Sequence, residues 1–472
     1  MGNQEEAPAE VRKPVARWVP IAAVAACAVL GVVLMLLPSE RPESRAPAPA
    51  PGAQALTAVG SGVPAALPDL AALIGEREAR VRAHPQDARS WAVLGTAYVE
   101  QGRRIADPSY FPRAEQALRT SLRTRAQGNV RALTGMAALA NARRDFPAAR
   151  KWGQDALRLD AKRWTTYPVL IDAYTGLGDH KAAKRTLDRM LELHSGPAAL
   201  ARAGAVYRDH GWREDAAAAL ADAAAGAEAP AEKAAYLERG GQLAFERGDL
   251  DVALRHFQEA VRIDPDQRAA QAGQGRALAA LGRTSEALNS YRMALAKQTL
   301  PQYALELGEL YESLGLDQAA RVQYGLLRER VRGAAAGGAD EELVLGQFEA
   351  DHGDPEAAVR RLRAEWQRQP GIAVADALGW ALHRAGQHEE ALKFAARATD
   401  KEHGGGVRSA LYAFHRGMIE GELELYGLAR RHLQEALRIN PHFSPWRAPT
   451  AREALRGLGD LPADEPLPGE SS

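Results

Sequence analysis

The chain holds one cysteine, Cys27, in 472 residues, so no intrachain disulfide can brace it and its redox compartment leaves no mark on the sequence. Aromatic residues make up only 6%, which suits closely packed alanine-rich helices. Net charge is missing as well: 60 Lys and Arg stand against 60 Asp and Glu, so no global field recruits nucleic acid, which leaves only an enclosed basic patch to do so. Catalytic motifs are also absent. There is no Gly-Lys-Ser/Thr phosphate loop and no His-Glu-x-x-His, and Gly273-Gln274-Gly275 lacks the third glycine of a dinucleotide loop. His383 and His388 are five apart and so leave a common helical face. These gaps argue against an enzyme, a resident metal and a cofactor.

Long apolar runs are scarce, with one exception. Trp18 to Leu37 is a stretch of twenty uncharged, mostly apolar residues, enough at 1.5 Å per residue to cross a hydrocarbon core of about 30 Å. It reads as a transmembrane helix. Arg12, Lys13 and Arg17 precede it and Arg41 and Arg45 follow it, a balance that leans toward a cytoplasmic segment at 1–17. A cleaved signal needs a small-residue site just after the run, and Ala53-Gln54-Ala55 lies far downstream. Cys27, after Val24-Ala25-Ala26, looks like a lipidation box, but processing there would leave the apolar Ala28 to Leu37 as the new terminus. The expected placement is the plasma membrane of a bacterium, single-pass, with the bulk of the chain outside the cytoplasm. Residues 38–67, rich in Pro and Ala, read as a disordered or extended linker, and 459–472 as a disordered tail.

What the chain does have is a period. Glycines recur at Gly178, Gly211, Gly248, Gly282, Gly315, Gly353 and Gly386, with spacings of 33, 37, 34, 33, 38 and 33, and Arg144 and Glu424 take that place in two weaker copies. Ahead of each glycine a small residue (Gly95, Ala137, Gly204, Gly241, Gly275, Gly308, Gly346, Gly379, Gly417) lets a partner helix approach. Behind it an alanine opens the second helix, and four residues on comes a larger knob such as Leu187, Leu220, Phe257, Tyr291, Tyr324, Leu362 or Leu433, on the same helical face. Pro265, Pro370 and Pro441 stop second helices. Each hairpin has an apolar face too large to cover alone, and stacking covers it.

The first copy, Trp91, Leu94, Gly95, Tyr98, then Ala114 and Leu118, resembles the tetratricopeptide repeat. Ten copies run from about residue 85 to 441. The resemblance implies an all-α, right-handed superhelical solenoid of about ten hairpins, a scaffold whose partners lie along the concave face made by the first helices. The solenoid is placed at 68–441, with a lead-in helix capped by Asp69 and running from Leu70 to Ala83, and a capping segment at 442–458. Arg104 to Tyr110 is an insertion that lengthens the first hairpin. Gly333 to Gly338 and Gly404 to Gly406 read as stretched inter-repeat loops. The lead-in through His84-Pro85-Gln86-Asp87 is also similar to cytochrome c maturation factors with a repeat domain. Asn440 to Trp446 is similar to the end of bacterial anchored repeat proteins.

The repeat register points Arg89, Arg131, Thr134 and Asn141 into the groove near its start, and Glu238, Glu246, Glu309, Glu312, Asp340 and Asp351 in the middle. Leu343, Asp376, Trp380, His383, Leu411, Phe414 and Met418 follow toward the end. The acidic middle would attract a basic segment, and Trp380 with Phe414 would form an apolar pocket that fixes it. The expected function is a membrane-anchored scaffold that binds a protein or peptide partner in this groove, with no nucleic acid. The alternative is an assembly factor holding an apoprotein such as apocytochrome c. A repeat domain that regulates an enzyme is the less favoured third reading.

Overall fold

The computed structural model describes residues 50–297, 300–401 and 406–459, all within a compact unit that begins at Ala50. The expected membrane helix at 18–37, the cytoplasmic segment at 1–17, the first part of the linker, Gly404, Gly405 and nearly all of the tail lie outside the described residues. Among the described residues no helix is long and apolar enough to cross a membrane.

The described residues are helical throughout. Two helices, α1 (Pro51–Ser61) and α2 (Leu67–Ala83), precede ten hairpins. The first five are α3 (Ala88–Ile105) with α4 (Tyr110–Thr124), α5 (Val130–Ala142) with α6 (Phe146–Leu159), α7 (Tyr167–Gly176) with α8 (His180–Leu193), α9 (Pro197–Asp209) with α10 (Arg213–Gly226), and α11 (Pro230–Arg247) with α12 (Leu250–Ile263). The second five are α13 (Arg268–Ala280) with α14 (Thr284–Lys297), α15 (Pro301–Ser313) with α16 (Asp317–Ala336), α17 (Glu342–His352) with α18 (Pro355–Arg368), α19 (Ile372–Arg384) with α20 (His388–Thr399), and α21 (Ala410–Glu422) with α22 (Tyr426–Ile439). A last helix, α23 (Arg447–Gly457), follows.

Local chemistry sets these boundaries. Asp87, Asn129, Asp145 and Asp179 each accept a hydrogen bond from a backbone N–H in the first turn of the helix that follows, satisfying a donor the helix cannot. The turn inside most hairpins needs a left-handed residue: Gly178, Gly211 and Gly248 supply it, and Arg144 and Glu424 adopt it at φ 61° and 60° in the two copies without glycine. Gly353 differs, since its φ of −137° lies outside the left-handed region. Close approach explains the small residue of the first helix. A side chain on Gly95 would place its Cβ 2.5 Å from Leu118 Cγ, so any larger residue would push α3 and α4 apart.

Several local expectations are corrected. The linker does not stay disordered up to residue 67: Pro51 opens α1, where its missing N–H is no loss, and Ala55, Ala58 and Val59 bury against Leu70, Leu73, Val93 and Ala97. Helix α2 starts at Leu67 with Ala66 at its cap, so Asp69 sits in the first turn and favours the helix dipole instead of capping it. The first hairpin turns at Ala106, φ 52°, after α3 has run past Gly102. Residues 333–336 are not loop, because α16 continues through them to Ala336.

The stack also touches itself across a long sequence distance. Arg104, in the insertion of the first hairpin, pairs with Asp264 at 2.8 Å. Arg143 O accepts from the Asp340 N–H at 3.2 Å, Arg144 reaches Glu341 at 3.3 Å, and Asn440 Nδ2 donates to Phe245 O at 2.7 Å. The turn glycines serve this seam too. A Cβ on Gly178 would lie 2.5 Å from Pro370 O, and one on Gly211 would collide with Gly406 O. Turns of repeats two to five thus rest on the loops that follow repeats seven to ten. In an ideal solenoid each repeat meets only its neighbours; here a second set of contacts joins repeats four to five apart.

Candidate functional site

The first helices of successive hairpins line the concave face, and its two ends are built differently. Toward the C-terminus, residues 442–447 enter the groove and line a cavity of about 200 Å³ together with Glu309, Asp351, Asp376, Trp380 and Leu411. Arg447 pairs with Glu309 at 3.0 Å and with Asp351 at 2.6 Å. Burial pushes the Glu309 carboxyl up, but Arg447 and His352 outweigh it and hold it at about 2. The Arg447 guanidinium is disfavoured by burial, yet Glu309 and Asp351 raise it above its ordinary value. His352 Nδ1 lies 3.1 Å from Glu312, Tyr324 OH donates to Glu312 at 2.7 Å, and the Trp446 ring lies against His352 at 5.1 Å.

Trp380 lines this cavity with little of its own surface. It is 8% exposed, its Nε1 donates to Asp351 at 2.9 Å, and its ring stacks between His383 at 4.9 Å and His415 at 4.3 Å. Phe414 is 1% exposed and touches Phe443. Met418 packs partly buried against the same core. Asp376 is buried beside His415 Nδ1 at 3.0 Å. Burial, then His388 and His415, push the His383 imidazole down to about 4, so it is neutral at pH 7. The acidic Glu309 and Asp351 and the aromatic Trp380 do come together on one cavity, and the chain's own His442, Phe443, Ser444, Pro445 and Arg447 line it with them.

Of the remaining acidic candidates, Glu246 and Asp340 are paired and Glu238 lies near arginines without pairing. Arg208 grips Glu246 with Nε and Nη2, both at 2.7 Å. Glu238 is half-buried, and burial raises its carboxyl while Arg239 and Arg276 oppose the rise. Asp340 is not on the concave face at all: it precedes α17, accepts from Arg368 at 2.8 Å and belongs to the seam.

At the N-terminal end the balance reverses. Helix α1 and the first helices α3, α5 and α7 enclose a cavity of about 220 Å³ that includes Arg131, Thr134 and Asn141. Two residues that the repeat register missed line it as well, Arg163 and Thr165. They sit in the short turn before α7, where the repeat departs from its pattern; the Lys162-Arg163 pair was the available signal. Glu100 meets Arg103 at 3.4 Å and Asp172 accepts from Arg202. Among the described residues no carboxylate meets Arg131 or Arg163. Burial, then Arg163 and Arg89, push the Arg131 guanidinium below its ordinary value. Arg89 itself is exposed at the start of α3. Asn141 Nδ2 donates to Val169 O at 2.8 Å, and Thr134 bonds Thr166 at 3.1 Å.

Residues 238–299 and 272–330 match the tetratricopeptide repeat model. No curated protein matches the chain. Among solved structures, a human IFIT1 dimer with PPP-AAAA is 16% identical over 66% of this chain and 72% of its own, with a TM-score of 0.46. The Cut9–Hcn1 hetero-tetramer of the APC/C is 16% identical, covering 79% and 76%, with a TM-score of 0.37. Pseudomonas aeruginosa pilF is 17% identical, covering 44% and 93%, with a TM-score of 0.36.

Proposed function

We propose that this chain is a non-catalytic scaffold that holds a protein or peptide partner on the N-terminal half of its concave face, anchored by Trp18 to Leu37 as one membrane helix at a bacterial envelope. Tetratricopeptide repeats as a class suggest a protein-interaction scaffold, and the match at 238–330 supports that class here. The observation that carries the choice of site is the contrast within the groove. At repeats seven to ten the chain's own Arg447 enters the groove and meets Glu309 and Asp351, whereas the cavity between α1, α3, α5 and α7 keeps an apolar wall and arginines without counter-charge.

A photoreactive residue at Thr134, on the concave face, tests the reading in cells against one at Met293, which is 51% exposed on the second helix of its hairpin. Capture of a discrete partner from Thr134 and not from Met293 is expected. Equal capture from both, or none from Thr134, overturns it. For the anchor, protease added outside wall-stripped cells should remove the repeats and leave a short membrane fragment; full protection of the repeats contradicts the envelope placement.

A further inference from the structure

The seam that joins distant repeats leaves two edges of the stack bare. Along it the turn glycines of repeats three to five are covered by loops five repeats on: Gly178 by Pro370 O, Gly211 by Gly406 O and Gly248 by Ile439 O. Gly282, Gly315 and Gly386, in repeats six, seven and nine, take the same left-handed φ of 71° to 75°, but no atom from beyond the turn comes within 4 Å of where their Cβ would stand. Side chains show the same contrast. Leu177, just before Gly178, shares a crevice with Pro370 and Ile372 across the seam. Leu314 holds that place before Gly315 and is 41% exposed, and Leu316 after it is 47% exposed. On the opposite edge of the stack, Leu159 ends α6 before the loop that follows repeat two, and it is 52% exposed. Leu159 and Leu316 are the two most exposed leucines among the described residues. Asp317 follows Leu316, and Lys162 lies in the loop after Leu159; both are exposed, and among the described residues neither is in an ion pair.

We propose that the protein associates with a second copy of itself edge to edge, the turns of repeats six to nine on one copy docking the loops after repeats one to four on the next. The seam fixes the register. Turns of repeats two to five each meet the loop five repeats on, so the turn of repeat seven calls for a loop two repeats beyond repeat ten. On a second copy that is the loop after repeat two. Leu314 and Leu316 then bury against Leu159, with Asp317 beside Lys162. A foreign protein would have to supply this edge anew, whereas every copy of the chain carries it at the spacing the turns require. Burial of the leucines drives such a contact, and the opposite charges favour the matched alignment over others. The two faces are unlike, so each pair keeps a free face at either end, and copies add in a row instead of closing as a symmetric dimer. The contact uses the edges of the stack and not its concave face, so it does not depend on the scaffold reading.

The test is sedimentation of the full-length protein in detergent micelles across a range of concentrations. Unaltered protein should form a series that passes beyond the dimer as concentration rises. Leu314→Glu with Leu316→Glu removes one face and Leu159→Glu removes the other, and each variant alone should need about tenfold or more protein to associate. An equal mixture of the two should give a one-to-one dimer and stop there, because each variant keeps the face the other lacks. A photoreactive residue at Leu316, in cells and in otherwise unaltered protein, reads the contact without relying on how the glutamate variants fold. An adduct of two copies joined between position 316 and residues 159–163 is expected. Unaltered protein that stays monomeric overturns the proposal, as does a series that both variants form as readily as the unaltered chain. An adduct joining turn to turn overturns it in favour of a symmetric dimer, and capture of a foreign protein at Leu316 without a second copy overturns it in favour of another occupant. Loss of partner capture at Thr134 bears on the scaffold reading alone.

Discussion

Both ends of the concave face concentrate charge, yet they resolve it oppositely. Glu309 and Asp351 are buried, and the chain itself supplies Arg447 to meet them; Arg131 and Arg163 are at least half-buried, and nothing in the described chain meets either. A run of one sign on a helix face is therefore a weak guide to a binding site. What matters is whether the counter-charge lies elsewhere in the same chain, and only the fold shows that. The C-terminal end behaves as core, and the N-terminal end has the incompleteness of a site.

The sharpest way to break this comparison is Arg447→Ala. It strands two buried carboxylates, which typically costs about 3–5 kcal/mol, and hydrogen exchange should rise in α15, α17, α19 and α23 while α3 to α7 stay protected. Uniform or negligible loss would mean the pair is not part of the core. Acid sharpens the same point. Glu309 is depressed from 4.5 to about 2, so its stabilisation is fully present above the unfolded value and is lost as pH falls from about 4.5 through 2. In unaltered protein the C-terminal repeats should hold at pH 4 and open near pH 2; in Arg447→Ala that opening should move to higher pH.

Next in size is the seam. Asn440 is fully buried and its amide satisfies Phe245 O, so Asn440→Ala should cost about 1–3 kcal/mol. Its effect should appear at both residues 245–250 and 436–441, which are far apart in sequence. Exchange that rises only near 440 would show that the two layers are not coupled. Trp380→Phe keeps a smaller aromatic ring and removes the bond to Asp351; about 1–2 kcal/mol of stability should go, with no change in partner capture at Thr134. Smallest of all, Arg131→Gln or Arg163→Gln should alter stability by no more than about 0.5 kcal/mol, because neither makes an ion pair. A clear loss on chemical denaturation would show these arginines to be structural.

How much of this was legible in the sequence follows from the range of each interaction. Gly95 against Leu118, or Gly241 against Phe257, are contacts inside one hairpin, repeated at a fixed period, so pattern revealed them. Arg144 and Glu424 kept the turn without glycine, and their place in the period still marked them. Helix α1 was hidden by composition: alanine and proline read as a linker, although Pro51 at a first helical position followed by Ala53, Ala55 and Ala58 is also how a helix can begin. The seam was hidden because its partners, such as Arg104 and Asp264, carry no shared local signature. The groove register placed Glu309 and Asp351 in an acidic middle and Trp380 toward the end, but it could not know that Arg447 returns to meet the two carboxylates. Arg131 was visible because it keeps the repeat register on α5, and Arg163 was not because it sits in the short turn before α7, where the pattern breaks.

The most direct test of the contrast places a photoreactive residue at Leu411, which lines the C-terminal cavity, in the full-length protein in cells. The account predicts crosslinks within the chain, to peptides from residues 441–456, with no partner captured at that position while Thr134 captures one. Capture of a foreign protein at Leu411, with the chain's own 441–456 segment left unlinked, would show that the C-terminal groove is the open site and contradict the account.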